Sequence, residues 1–170
     1  CRGRAALRPE VMVKLKRAVP EQLAGRFPNL DIAIDDDDPA WDVVDDFGGP
    51  PGGWTEGLGT VGRGNHFVEL ARVEPIPGGA DHAARLGLSA GDLVLIVHSG
   101  SRGHGERILR AHTERLGAGP SDDPAGYLAA HDDAVRWGSL NRRVLAARAA
   151  AAIGSPVTAP IVDQCHNLVE

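Results

Sequence analysis

The chain has 170 residues, 42% of them hydrophobic, and a net charge of -5. This length suits one domain with a buried core, so we expect residues 1–170 to form a single domain. The longest apolar run, Leu93 to Val97, is far shorter than the ~20 residues of a membrane helix, and we expect no membrane partner. Two cysteines argue against a disulfide-rich secreted scaffold, and we expect a cytoplasmic protein.

The negative charge is concentrated in one short region, because eight aspartates lie between Asp31 and Asp46. Without them, the rest of the chain is slightly basic, so the net charge does not exclude a nucleic-acid partner. The run from Asp35 to Pro39 has carboxylates that suit a hard cation. We favour a solvated loop for it, since that interpretation needs no ligand.

Near the start of the chain, apolar residues at helical spacing predict an amphipathic helix that Pro20 divides into two pieces. These residues are Val11, Leu15, Val19 and Leu23. Residues 47–64 contain the sequence GGPPGG and further glycines, which predict a long loop with little secondary structure. Long structured loops often carry function.

Two strands are predicted in the middle of the chain. The segment HFVELARVE is flanked by glycines and by Pro75, which favours a short strand on which His66 and Glu69 point apart. The run LVLIV reads as a strand covered on both faces. His98 then lies at the carboxyl end of that strand, where ligands often bind in sheets flanked by helices.

The second half of the chain is predicted to be mainly helical. One helix follows Gly105 and stops at Gly117, and a longer one starts near Ser121 and Pro124. One stripe of the longer helix is apolar apart from Asn141, and it consists of Tyr127, Ala130, Ala134, Trp137, Asn141 and Val144. A last strand is predicted over residues 156–162. Together these elements predict an α+β fold with mixed β-sheets flanked by helices.

Three of the seven histidines, His66, His98 and His166, lie at strand starts or ends beside small polar residues. Imidazole is a ligand for Mn, Fe and Zn, so these residues predict a metal site at strand ends. An ordinary hydrogen-bonded histidine is the alternative at each position. The local signatures HExxH, CxxC and the phosphate-binding GxxxxGK[ST] do not occur in the sequence.

The segment HSGSRGHG has the composition of an anion-binding nest, in which Arg102 would clamp a phosphate. A glycine-rich turn with a serine cap is an equally good interpretation. Asn65 and Asn167 adjoin candidate histidines and also suit turns. Asn141 with Arg142 is either a buried amide that satisfies backbone groups or a polar pair that reaches into a site. His104, His112 and His131 are interpreted as structural or surface residues.

Four segments resemble, in order and approximate spacing, the central blocks of RtcB-type RNA-splicing ligases. They are GTVGRGNHFVEL, LVLIVHSGSRGHG, YLAAHDDAVRWGSLNRR and DQCHN, and the resemblance covers roughly residues 40 to 170. It implies a ligase that uses GTP and Mn²⁺ to join RNA ending in a 2′,3′-cyclic phosphate or 3′-phosphate to a 5′-hydroxyl end. It also implies a role in tRNA splicing or RNA repair and an archease-type activating partner.

The resemblance also implies roles for individual residues. His66, His98 and His166 match the metal ligands of a two-metal Mn²⁺ site. Asn65 and Asn167 match nucleotide contacts, and Glu69 matches the contact to guanine. Arg102 is then a candidate for the RNA phosphate.

The sequence departs from the family pattern at both ends. Family members have a metal-binding Asp and Cys in an upstream block, which Cys1 matches poorly, and their nucleotide-accepting His lies beyond the DQCHN block. We therefore expect a fragment of a larger ligase core, assign no catalytic residue, and expect no covalent guanylyl intermediate on this chain alone. The alternatives are a non-catalytic RNA-binding or interaction remnant and a metal-dependent phosphoesterase.

Overall fold

The computed structural model describes residues 10–14, 30–77, 79–117, 121–155 and 159–165. These residues combine helices with one small sheet, which confirms the α+β class. In chain order the elements are β1 (Glu10–Lys14), α1 (Trp41–Phe47), β2 (Phe67–Arg72), α2 (Ala80–Arg85), β3 (Leu93–His98), α3 (Arg102–Leu116), α4 (Pro124–Ala152) and β4 (Val162–Gln164). A short 3₁₀ turn occupies Pro51–Gly53.

The four strands form a sheet in the order β2-β3-β1-β4. Every neighbouring pair is antiparallel, whereas mixed strand directions were expected from the sequence. In the register of β2 and β3, Phe67 lies opposite His98 and Glu69 lies opposite Ile96. The start of β2 and the end of β3 therefore lie side by side at the same end of the sheet.

Helix α4 contributes to both hydrophobic clusters of the core. Its Leu145 packs with Leu95 and Val97 of β3. The adjacent Val144, and Trp137 about two turns earlier in the helix, pack with residues of α1 and of the loop that follows it. The stripe predicted along this helix is confirmed for Ala134, Trp137, Asn141 and Val144, which are all buried. The core therefore fixes α4 against the sheet on one side and against the glycine-rich loop on the other.

The prediction of a helix at residues 10–14 is wrong, because these residues form β1. Their sequence, EVMVK, contains two β-branched valines at alternate positions, which suits a strand. Pairing with β3 on one side and β4 on the other decides between the two patterns. The remaining helix positions, Leu15, Val19 and Leu23, lie outside the described residues.

The last strand also differs from its prediction, since β4 begins only at Val162 and residues 159–161 are not strand. Residues 156–158 lie outside the described part. The other boundaries agree more closely. Helix α3 starts at Arg102, four residues before the expected start, and ends before Gly117 as predicted. Asp123 rather than Ser121 caps α4, because its Oδ1 accepts a hydrogen bond from the Gly126 N–H.

Helix α1 was not predicted from the sequence. Its seven residues are too few to display a clear helical period. The loop expected over residues 47–64 is confirmed apart from Phe47, the last residue of α1, and the 3₁₀ turn. Among the helices described, none combines the length and the apolar character that a bilayer span requires.

Replacing Leu145 with alanine tests the central position of α4. Leu145 is fully buried, whereas Leu109 on α3 is 53% exposed. We expect Leu145→Ala to lower the free energy of unfolding by about 2–5 kcal/mol, because it leaves a cavity. Leu109→Ala removes the same atoms from an exposed position and should cost under ~1 kcal/mol. Urea unfolding followed by circular dichroism measures both, and equal losses would contradict this packing.

Candidate metal centre

His66 and His98 face each other at one end of the sheet, where β2 begins and β3 ends. His66 immediately precedes β2 and His98 ends β3, so the antiparallel register brings them together. Their ring centroids are 5.7 Å apart, and the ring of Phe67 lies 5.4 Å from that of His98. His98 is buried and His66 is half-buried. Two histidines that are 32 positions apart in the sequence thus share one site.

Arg102 lies beside this pair. Its Nη1 is 3.5 Å from Nδ1 of His66, and its Nε donates a hydrogen bond to Oγ1 of Thr60 at 3.3 Å. The backbone of Arg102 has a φ of 52°, a left-handed conformation that costs a non-glycine residue roughly 1–3 kcal/mol. Such strain is retained where the surrounding structure holds the residue in place. Arg102 is therefore held over the loop that leads into His66.

Gly62 makes room for this arrangement. Its φ is 99°, a conformation that L side chains rarely adopt. A Cβ at this position would lie 2.7 Å from Nδ1 of His66 and even closer to the guanidinium of Arg102. Only glycine leaves both side chains in their present positions. By contrast, a Cβ at Gly64, whose φ is 79°, would have no atom within 4 Å.

The environment lowers the pKa of His66. Burial is the largest cause, followed by the positive charges of Arg102 and His98, and a backbone hydrogen bond with Arg63 opposes them. The imidazole is therefore neutral at pH 7, the state in which it binds metal ions. Because its pKa in the folded protein is below the value of about 6.5 in the unfolded chain, protonation destabilises the fold as pH falls below that value.

The two imidazoles are compatible with binding a single metal ion. With metal–nitrogen bonds of about 2.1 Å, two imidazoles on one ion hold their ring centres roughly 5 to 6.5 Å apart, which includes the 5.7 Å observed. Within the described residues, no third His, Cys, Asp or Glu completes a ligand cluster. His166 and Cys1 lie outside these residues.

The residues matched to nucleotide contacts are less closely grouped. Asn65 adjoins His66 and is exposed. Glu69 is also exposed, while its neighbours Val68 and Leu70 pack on the core. The strand predicted for this segment is confirmed, and Glu69 is three residues along the chain from His66. Asn167 lies outside the described residues.

The remaining histidines lie against other aromatic rings. His104 is buried between Trp54 and Trp137, with ring centroids 5.7 and 6.2 Å away. Burial, followed by the charge of Arg107, lowers its pKa, and Asp133 acts in the opposite direction. His112 packs on Tyr127. These contacts agree with the structural role expected for both residues.

The acidic run behaves as a surface loop with one anchored residue. Asp38 forms an ion pair with Arg148 of α4, with Oδ2 and Nε 3.1 Å apart. The three preceding aspartates, Asp35, Asp36 and Asp37, are exposed. The described part of the chain thus agrees with the loop interpretation of this run.

Comparison with known proteins identifies the family of this region. Residues 52–123, which include His66, His98 and Arg102, match the family described as tRNA-splicing ligase RtcB. The RNA-splicing ligase RtcB2 of Escherichia coli is 40% identical over 120 residues, 68% of this chain and 31% of the relative. The RNA-splicing ligase RtcB of Mycobacterium bovis is 31% identical over 135 residues, 66% of this chain and 31% of the relative. This chain belongs to the RtcB family.

The match covers only part of the relatives. The RtcB-family chain spans about a third of the length of the two curated proteins named above. The tRNA-splicing ligase RtcB of Aeropyrum pernix is 44% identical over 55 residues, which is 31% of this chain and 11% of the relative.

The sequence does not decide the role of two polar residues of α4 in this RtcB-family chain. Asn141 and Arg142 are both buried and hydrogen-bonded to the loops that carry His66 and His98. The one signal in the sequence was a polar amide in an otherwise apolar helical stripe. The partners of that amide lie 42 to 82 residues away in the sequence, so spacing along the helix did not reveal them.

Replacing Arg102 with glutamine should raise the pKa of His66 towards about 6.5, because one of the positive charges that disfavour its protonation is removed. The pKa is measured from the pH dependence of the imidazole NMR signals. Arg107→Gln is the matched control, since Arg107 affects His104 instead. That variant should raise the pKa of His104 and leave that of His66 unchanged. A His66 pKa unaffected by Arg102→Gln would contradict the contact.

Gly62→Ala should disrupt the His66–Arg102 contact, whereas Gly64→Ala should leave it intact. Both substitutions place a side chain at positive φ, so each should lower the free energy of unfolding by roughly 1–3 kcal/mol. Only the Cβ at position 62 collides with the two side chains. The imidazole NMR signals of His66 should therefore shift in Gly62→Ala alone. Similar spectra for the two variants would show that Gly62 is not needed for the contact.

Proposed function

We propose that this chain forms part of the catalytic centre of an RNA ligase that uses GTP and Mn²⁺. The reaction joins RNA carrying a 2′,3′-cyclic phosphate or 3′-phosphate to RNA with a 5′-hydroxyl end. One observation carries the proposal: His66 and His98 face each other 5.7 Å apart, with Arg102 beside them, inside the segment that matches the RtcB family.

In this proposal His66, His98 and His166 hold Mn²⁺. The lowered pKa of His66 supports its role, because a neutral imidazole binds a metal ion without first losing a proton. The burial of His98 supports its role as well, since a ligand with few alternative conformations loses little entropy on binding. The bound Mn²⁺ supplies positive charge that stabilises the transferring phosphoryl group, and GTP supplies the activating nucleotide.

Arg102 is proposed to bind an RNA phosphate. Its guanidinium lies at the amino end of α3, where the helix dipole also favours an anion. The glycine-rich loop beneath it, with Gly57, Gly59, Gly62 and Gly64 all at positive φ, leaves backbone close to this position free of side chains. A phosphate can therefore approach the guanidinium and the loop together.

The nucleotide contacts are proposed for Asn65, Asn167 and Glu69. The exposure of Asn65 and Glu69 supports this, because a buried side chain would be inaccessible to guanine. A carboxylate suits guanine, which presents N–H donors on one edge. An RNA substrate from tRNA splicing or RNA repair and an archease-type activator stay predictions from the family resemblance, and a cytoplasmic location stays a prediction from the low cysteine content.

A Mn²⁺ titration followed by electron paramagnetic resonance tests the proposed centre, with and without GTP. The wild-type chain should bind Mn²⁺ more tightly when GTP is present. His98→Ala and His66→Ala should each weaken binding at least tenfold, because each removes one ligand from the ion. His112→Ala is the matched control, since that histidine packs on Tyr127 away from the site. It should bind as the wild type does.

Equal and weak binding by all four proteins would contradict the ligase proposal and favour the non-catalytic RNA-binding or interaction remnant. A second assay separates ligation from hydrolysis, with RNA that ends in a 2′,3′-cyclic phosphate as substrate. Opening of the cyclic phosphate or release of phosphate without GTP, lost in His98→Ala, would favour the metal-dependent phosphoesterase instead.

A further inference from the structure

We propose that Asn141 and Arg142, adjacent residues of α4, are positioning residues that hold His66 and His98 face to face. The inference rests on the proposed function, because it concerns the same centre. Asn141 hydrogen-bonds both loops that carry the histidines, and Arg142 hydrogen-bonds the loop that follows His98.

Asn141 joins the two loops through its side-chain amide. Its Oδ1 accepts a hydrogen bond from the Gly59 N–H at 2.7 Å. Its Nδ2 donates to the Thr60 carbonyl at 3.0 Å and to Oγ of Ser99 at 3.1 Å. Ser99 in turn donates to the carbonyl of Val61 at 2.8 Å. One buried amide thus links the loop before His66 to the residue after His98.

Ser99 lies on the α4 side of the chain, whereas His98 points away from it. Adjacent residues of an extended strand point to opposite faces. The contacts agree with this rule, since Ser99 bonds to Asn141 while His98 packs on His66 and Phe67. Because Ser99 directly follows His98 in the chain, a shift of Ser99 moves the His98 ring through the backbone that joins them.

Arg142 holds the same turn at a second point. Its Nη1 donates to the Ser99 carbonyl at 3.1 Å. The helix approaches closely there, because a Cβ on Gly138 would lie 3.4 Å from the Ser101 nitrogen. Two successive residues of α4 therefore fix the backbone and the side chain of Ser99, which leaves the turn little freedom to rotate.

Arg142 also connects the turn to β4. Its Nε and Nη2 donate to Oδ1 of Asp163, at 3.1 and 2.5 Å, and the Ser139 hydroxyl donates to Oδ2 of the same carboxylate. The side chains of Arg142 and Asp163 are only 3% and 16% exposed. Asp163 precedes His166 by three positions in the sequence. The same helix thus holds the turn after His98 and the strand that leads towards the third histidine.

The test compares Asn141→Ala and Asn141→Asp with the wild-type chain. The aspartate has the same shape and still accepts from Gly59, but it cannot donate to Thr60 or Ser99. The first readout needs no metal: the NMR cross-relaxation between the ring protons of His66 and His98. We expect this signal in the wild type and expect it to be lost in both variants while the fold, measured by circular dichroism, is retained.

The second readout is the affinity for Mn²⁺, which should fall about tenfold in both variants, the size of effect seen when supporting residues around metal ligands are removed. Leu145→Ala is the matched control, because Leu145 lies one turn along α4 and its truncation weakens the core without breaking a hydrogen bond to either loop. It should retain the ring signal and the wild-type affinity. Arg142→Lys, which keeps the positive charge but not the planar fork, should lose affinity as well.

The inference is overturned if either Asn141 variant keeps the ring signal at wild-type strength. It is also overturned if Leu145→Ala loses the signal to the same extent, because the effect would then reflect stability alone. Failure of the proposed function looks different. In that case the wild-type chain binds no Mn²⁺, while the ring signal still reports whether Asn141 positions the two histidines.

Discussion

The hydrogen bonds of the Asn141 side chain are the constraint on which the arrangement of this structure depends. The loop from Gly57 to Gly64 has no helix or strand to pair its peptide groups, and buried peptide groups without partners are costly. One amide of α4 satisfies Gly59, Thr60 and Ser99 together. Losing such a partner leaves a desolvated group at a cost of about 1–3 kcal/mol, so the loop and the helix hold one another in place.

A second link of the same kind extends the contact along α4. Arg148 donates to the carbonyls of Ile32 and Gly59 and forms an ion pair with Asp38. The acidic segment before α1 is thereby attached to the same glycine-rich loop. Hydrophobic clusters lie on either side of α4, and the Asn141 side chain is fully buried. Exclusion of water makes a satisfied hydrogen bond stronger and a broken one more costly.

The histidine pair owes its chemical state to this same environment. Burial and a neighbouring guanidinium keep His66 neutral. Arg102 takes up a strained backbone conformation to reach that position, and Gly62 supplies the space it needs. The neutral His66 imidazole, which faces His98 and lies beside a fixed positive charge, suits a metal ion and a phosphate at adjacent positions. These residues come from the part of the chain that matches the RtcB family, and the match covers 31% of the Escherichia coli relative.

The sequence by itself determined the elements with a strong pattern and the identity of the candidate residues. The apolar run of β3 and the stripe of α4 were long enough to show their periods, and both were confirmed. The glycine pattern marked the loop, and the motifs around His66 and His98 identified the family. These features are local, because the chemistry of neighbouring residues decides them.

Only the tertiary structure decided the features that depend on distant partners. The segment of Val11 has an ambiguous pattern, and pairing with β3 and β4 made it a strand. The register of β2 on β3 set the 5.7 Å between the histidine rings. The role of Asn141 and the lowered pKa of His66 arise from groups up to 82 positions away. Burial, charge and hydrogen bonding act through space, so the spacing of residues along the chain does not predict their effects.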